Sequence, residues 1–338
     1  MGARARMRMQ SLALVATLVA LFAPMRARAD GEGSGTRAAS FLQTAAAPRW
    51  SAMGGAGLAS GGDLSSAVWN AASLASLSEA RWEVMHAELP SGGQLSWGSL
   101  GGRHPGGTRW ALTALHRSEG DIEGRDASNQ PTQTFTAQSL ALGLTLARPV
   151  GSLLSVGGTA RYVGEHIGAT HGNGLAFGFG AQARLGVLRV AISGQDFGGG
   201  MRWEHQQWAM PATLAAGFAL VHEGSGLTLA TDLASPAAGL RSLRTGAEWT
   251  IGGRAALRTG WRQELGVSSA DAPGGPSFGL GLAVGAMWLD YSIESGARSE
   301  GVQRVGLSLA PGRRGGGLAL PGSPGFVGPT LPPGPTRD

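Results

Sequence analysis

From about residue 80 onward the chain keeps a period of two. Leu140, Leu142, Leu144 and Leu146 alternate with Ser139, Ala141, Gly143 and Thr145. Leu175, Phe177, Phe179, Ala181 and Ala183 alternate with Ala176, Gly178, Gly180, Gln182 and Arg184. Residues two apart share one face of a strand, so each segment presents a large apolar face and a small or polar one. Many such segments in series predict a transmembrane antiparallel β-barrel, with Leu, Phe and Val toward lipid and Gly, Ala, Ser, Thr and Arg toward the lumen. The competing architecture, a soluble exported β-sandwich or β-helix, needs the Leu and Phe faces buried against a second sheet.

The start of the chain reads as an address. Arg4, Arg6 and Arg8 form a positive region, residues 11–23 an apolar one, and Ala27-Arg28-Ala29 a cleavage site before Asp30. The apolar stretch falls short of the about 20 residues that a spanning helix needs. Five of the 27 basic residues lie in these 29 positions, which hold no acid, so the remainder carries 22 basic and 22 acidic residues. The net positive charge of the whole chain is therefore no argument for nucleic acid. All basic residues are Arg, and Cys is absent. An exported domain without disulfides must hold itself by packing or by closing its ladder.

Residues 30–40 are small and polar and read as a flexible segment. Residues 41–80 favour short helical or irregular structure. Fourteen strand candidates follow: 81–89, 94–100, 108–117, 134–147, 152–163, 173–185, 187–196, 211–222, 225–233, 242–251, 254–263, 277–285, 287–295 and 302–310. Gly186, Glu223-Gly224, Gly252-Gly253 and Gly285 predict tight turns. Residues 118–133, 197–210 and 264–276 predict longer polar loops. Trp82, Trp110, Trp203, Trp208, Trp249, Trp261 and Trp288 fall near strand or loop ends, where an aromatic girdle is expected; burial in a core is the alternative. Residues 311–338, rich in Pro and Gly, predict a disordered tail.

Residues 41–75 carry a more specific pattern: Phe41-Leu42, then Arg49-Trp50-Ser51-Ala52-Met53-Gly54-Gly55-Ala56, Asp63, and Trp69-Asn70-Ala71-Ala72-Ser73-Leu74. This block resembles the N-terminal segment of the PorV/PorQ family, itself similar to FadL-type outer-membrane barrels. Ala71 stands where the family has Pro, which permits the helical turn without enforcing it. Leu289-Asp290-Tyr291 and Arg304-Val305-Gly306-Leu307-Ser308-Leu309 resemble the family's last strands. The resemblance implies a barrel of about fourteen strands over residues 81–310, in the cell outer membrane, with the N-terminal block folded as a plug in the lumen. It implies contact with outer-membrane lipid. It also implies passive handling of hydrophobic small molecules or, in some relatives, holding exported cargo protein at the surface.

No enzyme constellation, cofactor or metal is expected. Gly275-Pro276-Ser277-Phe278-Gly279 matches a nucleophile-elbow string, but alternation follows it where the elbow needs a helix. Gly55-Ala56-Gly57 lacks the third glycine of a dinucleotide loop, and Glu165, His166 and His171 lack a metal-ligand spacing. Arg161, Arg184, Arg189, Arg244, Arg258 and Arg262 lie on or near the small-residue faces, as do Asp232, Glu248, Asp290 and Glu294. An Arg at the midplane of the lipid face costs about 2–4 kcal/mol, so these charges belong in the lumen. There they form either a lattice that brace the plug or a polar pathway. On the resemblance, residues 53–57 are the expected moving part, because glycine eases backbone rearrangement.

Overall fold

The computed structural model describes residues 37–44, 47–204, 206–266, 274–295 and 301–310. The expected signal peptide over 1–29, the segment up to 36 and the tail over 311–338 lie outside the described residues.

Among the described residues sixteen strands follow an N-terminal helical segment. They are β1 Arg81–Glu88, β2 Gln94–Arg103, β3 Arg109–Arg125, β4 Pro131–Val150, β5 Leu154–Ile167, β6 Thr170–Leu185, β7 Leu188–Phe197 and β8 Met201–Trp203. The others are β9 Gln206–Trp208, β10 Thr213–His222, β11 Leu227–Pro236, β12 Arg241–Ile251, β13 Ala255–Leu265, β14 Gly275–Val284, β15 Met287–Glu294 and β16 Val302–Leu309. Every neighbour pairing is antiparallel. β1 pairs with both β2 and β16, and β5 pairs with both β4 and β6, so the ladder closes on itself. Fourteen strands form the closed wall; β8 and β9 are a short hairpin paired onto β6. Closure leaves no edge, which is how a barrel satisfies its backbone in lipid.

The alternation works as expected. Along β1 the burial pattern is strictly two-periodic, with Arg81, Glu83, Met85 and Ala87 inward. The outward Leu140, Leu142, Leu144 and Leu146 of β4, like Phe278, Leu280 and Leu282 of β14, are exposed. An apolar band on the outside of a closed barrel places the protein in an outer membrane. Trp82, Trp249 and Trp261 are exposed on that outer face. Trp288, counted with the girdle, is instead fully buried. Its neighbours Met287 and Leu289 take the outward positions, and inward it lies over Gly281 and Ala256, where a large ring fits.

The predicted loop over 118–133 is a second difference. β3 runs on to Arg125 and β4 begins at Pro131, whereas the β2 ladder stops at Ser118 and the β5 ladder at Ala137. A two-stranded ribbon therefore stands roughly 20 Å beyond its neighbours. Its base carries a register shift at Gly120, with φ 72°. Apart from Ile122 and Phe135 the ribbon lacks apolar residues to alternate, so only its part from residue 134 on fell within a predicted strand. The predicted loop over 197–210 contains the β8–β9 hairpin, and part of that over 264–276 lies outside the described residues. The predicted tight turns are present, with positive φ at Gly186, Gly252, Gly253 and Gly285.

Residues 38–44 and 47–77 fill the lumen. They contain a helix α1, Pro48–Ala52, a helix α2, Ser66–Trp69, and 3-10 turns at Ser40–Gln43 and Ala71–Ser76. Pro48 opens α1, where its missing N–H costs nothing. The turn after Asn70 needs no proline, because the Asn70 side chain accepts the Ala72 N–H at 3.0 Å. Chain and wall meet where the wall is glycine. A Cβ on Gly246 stands 2.5 Å from the Met53 carbonyl oxygen, and one on Gly279 stands 2.5 Å from the Ala52 methyl.

Gly246→Val is expected to lower the thermal unfolding midpoint in detergent, because overpacking costs about 1–3 kcal/mol. Gly98→Val, on the outer face with only Val84 at 3.9 Å, is expected to leave it unchanged.

Candidate functional site

The interior divides into an ionic half and an apolar half. In the ionic half, Arg49 of α1 donates to Asp63 at 2.8 Å and to both carboxylate oxygens of Glu248 on β12 at 2.6 and 2.8 Å. Glu248 also accepts from Arg258 on β13 at 2.6 Å, and Arg258 donates to Asp290 on β15 at 2.5 Å. The Trp288 indole N–H closes the chain on Asp290 at 2.9 Å. All of these side chains are buried or nearly so. Two members come from the plug and the rest from three wall strands, so the chain of charges clamps α1 to the wall.

The plug backbone is satisfied in the same way. Asp232 of β11 accepts from the N–H groups of Gly57 and Leu58 at 2.7 and 2.9 Å. Glu83 of β1 accepts from Leu64 and Ser65 at 3.1 and 3.0 Å. Ser277 of β14 accepts from the Gly54 N–H at 2.9 Å and donates to the Ala52 carbonyl at 3.0 Å. The serine of the elbow-like string is thus a clamp on the plug. A buried backbone group without a partner is costly, and here wall side chains supply the partners that helix or sheet would give. Among the described residues no cluster of His, Asp or Glu has the makings of a metal site.

The structure distributes the remaining residues singled out from sequence as follows. Met53, Ala52 and Ala56 are fully buried, and Gly54 and Gly55 take left-handed backbone against Trp261 and the Arg244 side chain. Residues 53–57 are therefore wedged against the wall and hydrogen-bonded to it. Arg244 lies over the Trp69 ring, 5.1 Å from its centroid. Arg161 is paired with Asp196, away from the main chain of charges. Arg184 is exposed at the β6–β7 turn, outside the buried lattice. Arg189 donates to the Ser60 carbonyl at 2.7 Å, Arg262 pairs with Glu264 at 2.6 Å, and Arg304 pairs with Glu294 at 3.0 Å.

The apolar half was not singled out from sequence. Met85, Leu95, Trp97, Leu115 and Val163 point inward from β1, β2, β3 and β5 and meet Phe41, Leu42, Leu64, Leu74 and Leu77 of the plug. Met201 and Met210, flanking the β8–β9 hairpin, cap this cluster at the loop end. The signal was present: Met85, Leu95 and Trp97 are large apolar residues at inward parity, where Gly, Ser or Thr is the rule elsewhere.

Beside this half the wall is irregular. Between the pairs Phe177–Phe197 and Phe179–Gly194 the β6–β7 ladder shifts register. Two residues of β7, Gln195 and Asp196, face one of β6, a β-bulge, and Asp196 has φ 54°. Outside, Phe179 and Phe197 stack at 5.8 Å over Gly194. Inside, a cavity of about 10 Å³ lies between Trp69, Arg161, Gly178 and Gln195. At this point Gly178 and Gly194 stand in the wall, with the Phe179 and Phe197 rings outside and Trp69 and Gln195 inside.

No family model matches the chain, and no curated protein matches it. Solved structures do. The CymD monoaromatic hydrocarbon channel is 14% identical with a TM-score of 0.59, covering 78% of this chain and 97% of its own. The Ralstonia pickettii toluene transporter TbuX is 14% identical with a TM-score of 0.57, covering 78% and 98%. A Pseudomonas aeruginosa FadL homologue is 11% identical with a TM-score of 0.54, covering 77% and 97%. The chain has the fold of the FadL-like outer-membrane channels.

Arg49→Met leaves Asp63 buried without its cation, and breaking such a pair costs about 3–5 kcal/mol. The expected result is a lower unfolding midpoint and faster amide exchange over residues 48–70, with the exchange of β4 and β5 unchanged.

Proposed function

We propose that this protein passes small hydrophobic molecules across the outer membrane. They enter along the apolar half of the lumen and leave sideways into the bilayer at the β6–β7 bulge. The supporting observation is the adjacency of three things: an apolar interior sector, a break in the wall ladder, and one plug residue, Trp69, standing between them. A sideways exit spares an apolar solute the transfer to water, which costs about 25 cal/mol for each Å² exposed. The fold it shares with channels described as carrying monoaromatic hydrocarbons and toluene supports the same substrate class. We read the block from Arg49 to Asn70 as the mark of a PorV/PorQ-like branch within that fold.

The test is uptake of radiolabelled toluene by cells bearing the protein. Gly178 faces the small cavity, and Gly178→Leu fills it. The expected result is a fall of about tenfold in uptake, equivalent to about 1.4 kcal/mol on the barrier, with the barrel folded. Unchanged uptake in a folded variant rules out the wall route.

A second reading, a surface platform for exported cargo, is favoured by the β3–β4 ribbon alone. Removing residues 121–135 is expected to spare toluene uptake; a loss of exported proteins from the cell surface in the same strain supports the platform.

A further inference from the structure

Among the described residues four tryptophans are buried: Trp50, Trp69, Trp97 and Trp288. An indole has one polar group, an N–H that only donates. Trp50 donates to the Ser65 hydroxyl at 3.0 Å and Trp288 to the Asp290 carboxylate at 2.9 Å. The N–H groups of Trp69 and Trp97 are buried without a partner, which is costly for any donor. The surroundings of these two differ. Trp97 borders a cavity of about 20 Å³ that Asp63, Glu83 and Ser308 also line, so acceptors of the protein itself stand around it. Trp69 borders the cavity of about 10 Å³ at the β6–β7 bulge.

The other polar side chains around the bulge cavity are engaged. Thr159 bonds Thr145 at 2.8 Å, Gln195 donates to the Trp69 carbonyl, and Arg161 is paired with Asp196. The rest of the lining is Ala, Val, Phe and Gly. The space gives room for about one water-sized group. A solute that passes Trp69 displaces whatever water reaches the indole N–H. A hydrocarbon cannot replace that hydrogen bond, whereas a solute with an acceptor can. A carboxylate is the wrong acceptor. Asp196 lines the same cavity and already holds the Arg161 charge, and an anion leaving sideways would enter lipid at high cost. A neutral carbonyl or ether oxygen meets both conditions.

We propose that Trp69 sets the specificity of the route, favouring neutral apolar molecules that carry a hydrogen-bond acceptor, a carbonyl or ether oxygen, over plain hydrocarbons. This rests on the wall route proposed above and narrows its substrate class. The oxygen takes the small space beside the indole N–H, and the apolar body keeps to the apolar lining around it.

The test compares acetophenone with ethylbenzene, which differ by a carbonyl in place of a methylene. Uptake of each is measured in cells with and without the full-length protein. Trp69→Phe keeps an aromatic ring and removes the donor. The expected result is a fall of about tenfold in protein-dependent acetophenone uptake, with no fall for ethylbenzene. Trp50→Phe removes an indole N–H that Ser65 already answers, and is expected to leave the ratio of the two solutes unchanged. A second measurement uses the unaltered barrel in detergent. The proton resonance of the Trp69 indole N–H is expected to move downfield with acetophenone and to stay in place with ethylbenzene. Equal falls for both solutes in folded Trp69→Phe, unchanged acetophenone uptake, or an indole resonance blind to acetophenone overturns the proposal and leaves the route standing. Uptake of neither solute above that of cells without the protein overturns the route itself.

Discussion

A barrel of fourteen strands is too wide for its own side chains to fill. At about eight strands inward residues meet across the axis; beyond that a lumen opens. Everything inside this protein follows from that geometry. The wall contributes mainly small inward residues along much of its circumference, and the space is taken by a chain segment brought in from the N-terminus. That segment has little regular structure, so its N–H and C=O groups need partners. Asp232, Glu83, Ser277, Gln182 and Arg189 provide them from the wall. Wall residues that look like a channel's polar lining are thus largely committed to holding the plug.

The same constraint separates the two halves of the lumen. Buried charges are tolerable when paired and further hydrogen-bonded, and Arg49, Glu248, Arg258 and Asp290 meet that condition only as a connected set. Such a set leaves no free charge to draw water to the opposite side. There Met85, Leu95, Trp97 and Leu115 lie against plug residues of the same kind. An apolar solute finds on that side contacts that its bulk solvent does not give. The ionic side ties the plug to the wall, and in the proposed route the apolar side is the path.

Much of the wall was legible in the sequence because a strand between lipid and lumen has two solvents and shows both. All fourteen wall strands, and the turns at Gly186, Gly252 and Gly285, follow from that alternation. Even Trp288 was readable by parity, since Leu289, Tyr291 and Ile293 take the outward positions beside it. Most of the β3–β4 ribbon was not, because beyond the membrane both of its faces meet water and the single apolar pair, Ile122 and Phe135, sets no repeating alternation. The bulge at Gln195 and Asp196 was not, because one extra residue in a strand leaves no compositional trace. In the plug, the block from Arg49 to Asn70 was visible as a motif. Its partners Glu83 and Ser277 were not, because an acid or a serine at inward parity says nothing about which backbone it will meet.

The bulge and the plug are mechanically one element. The Gln195 side-chain amide, on the extra residue of β7, donates to the Trp69 carbonyl. The neighbouring Asp196 is held in left-handed backbone by its pair with Arg161 across β6 on β5. A non-glycine residue there stores roughly 1–3 kcal/mol that its surroundings must offset. Returning β7 to a regular ladder withdraws Gln195 from Trp69, and shifting Trp69 removes the partner that keeps Gln195 turned inward. Neither the wall nor the plug can rearrange at this place alone. The strained residue sits at one joint, next to the apolar half, while the ionic clamp on the far side ties α1 to the wall.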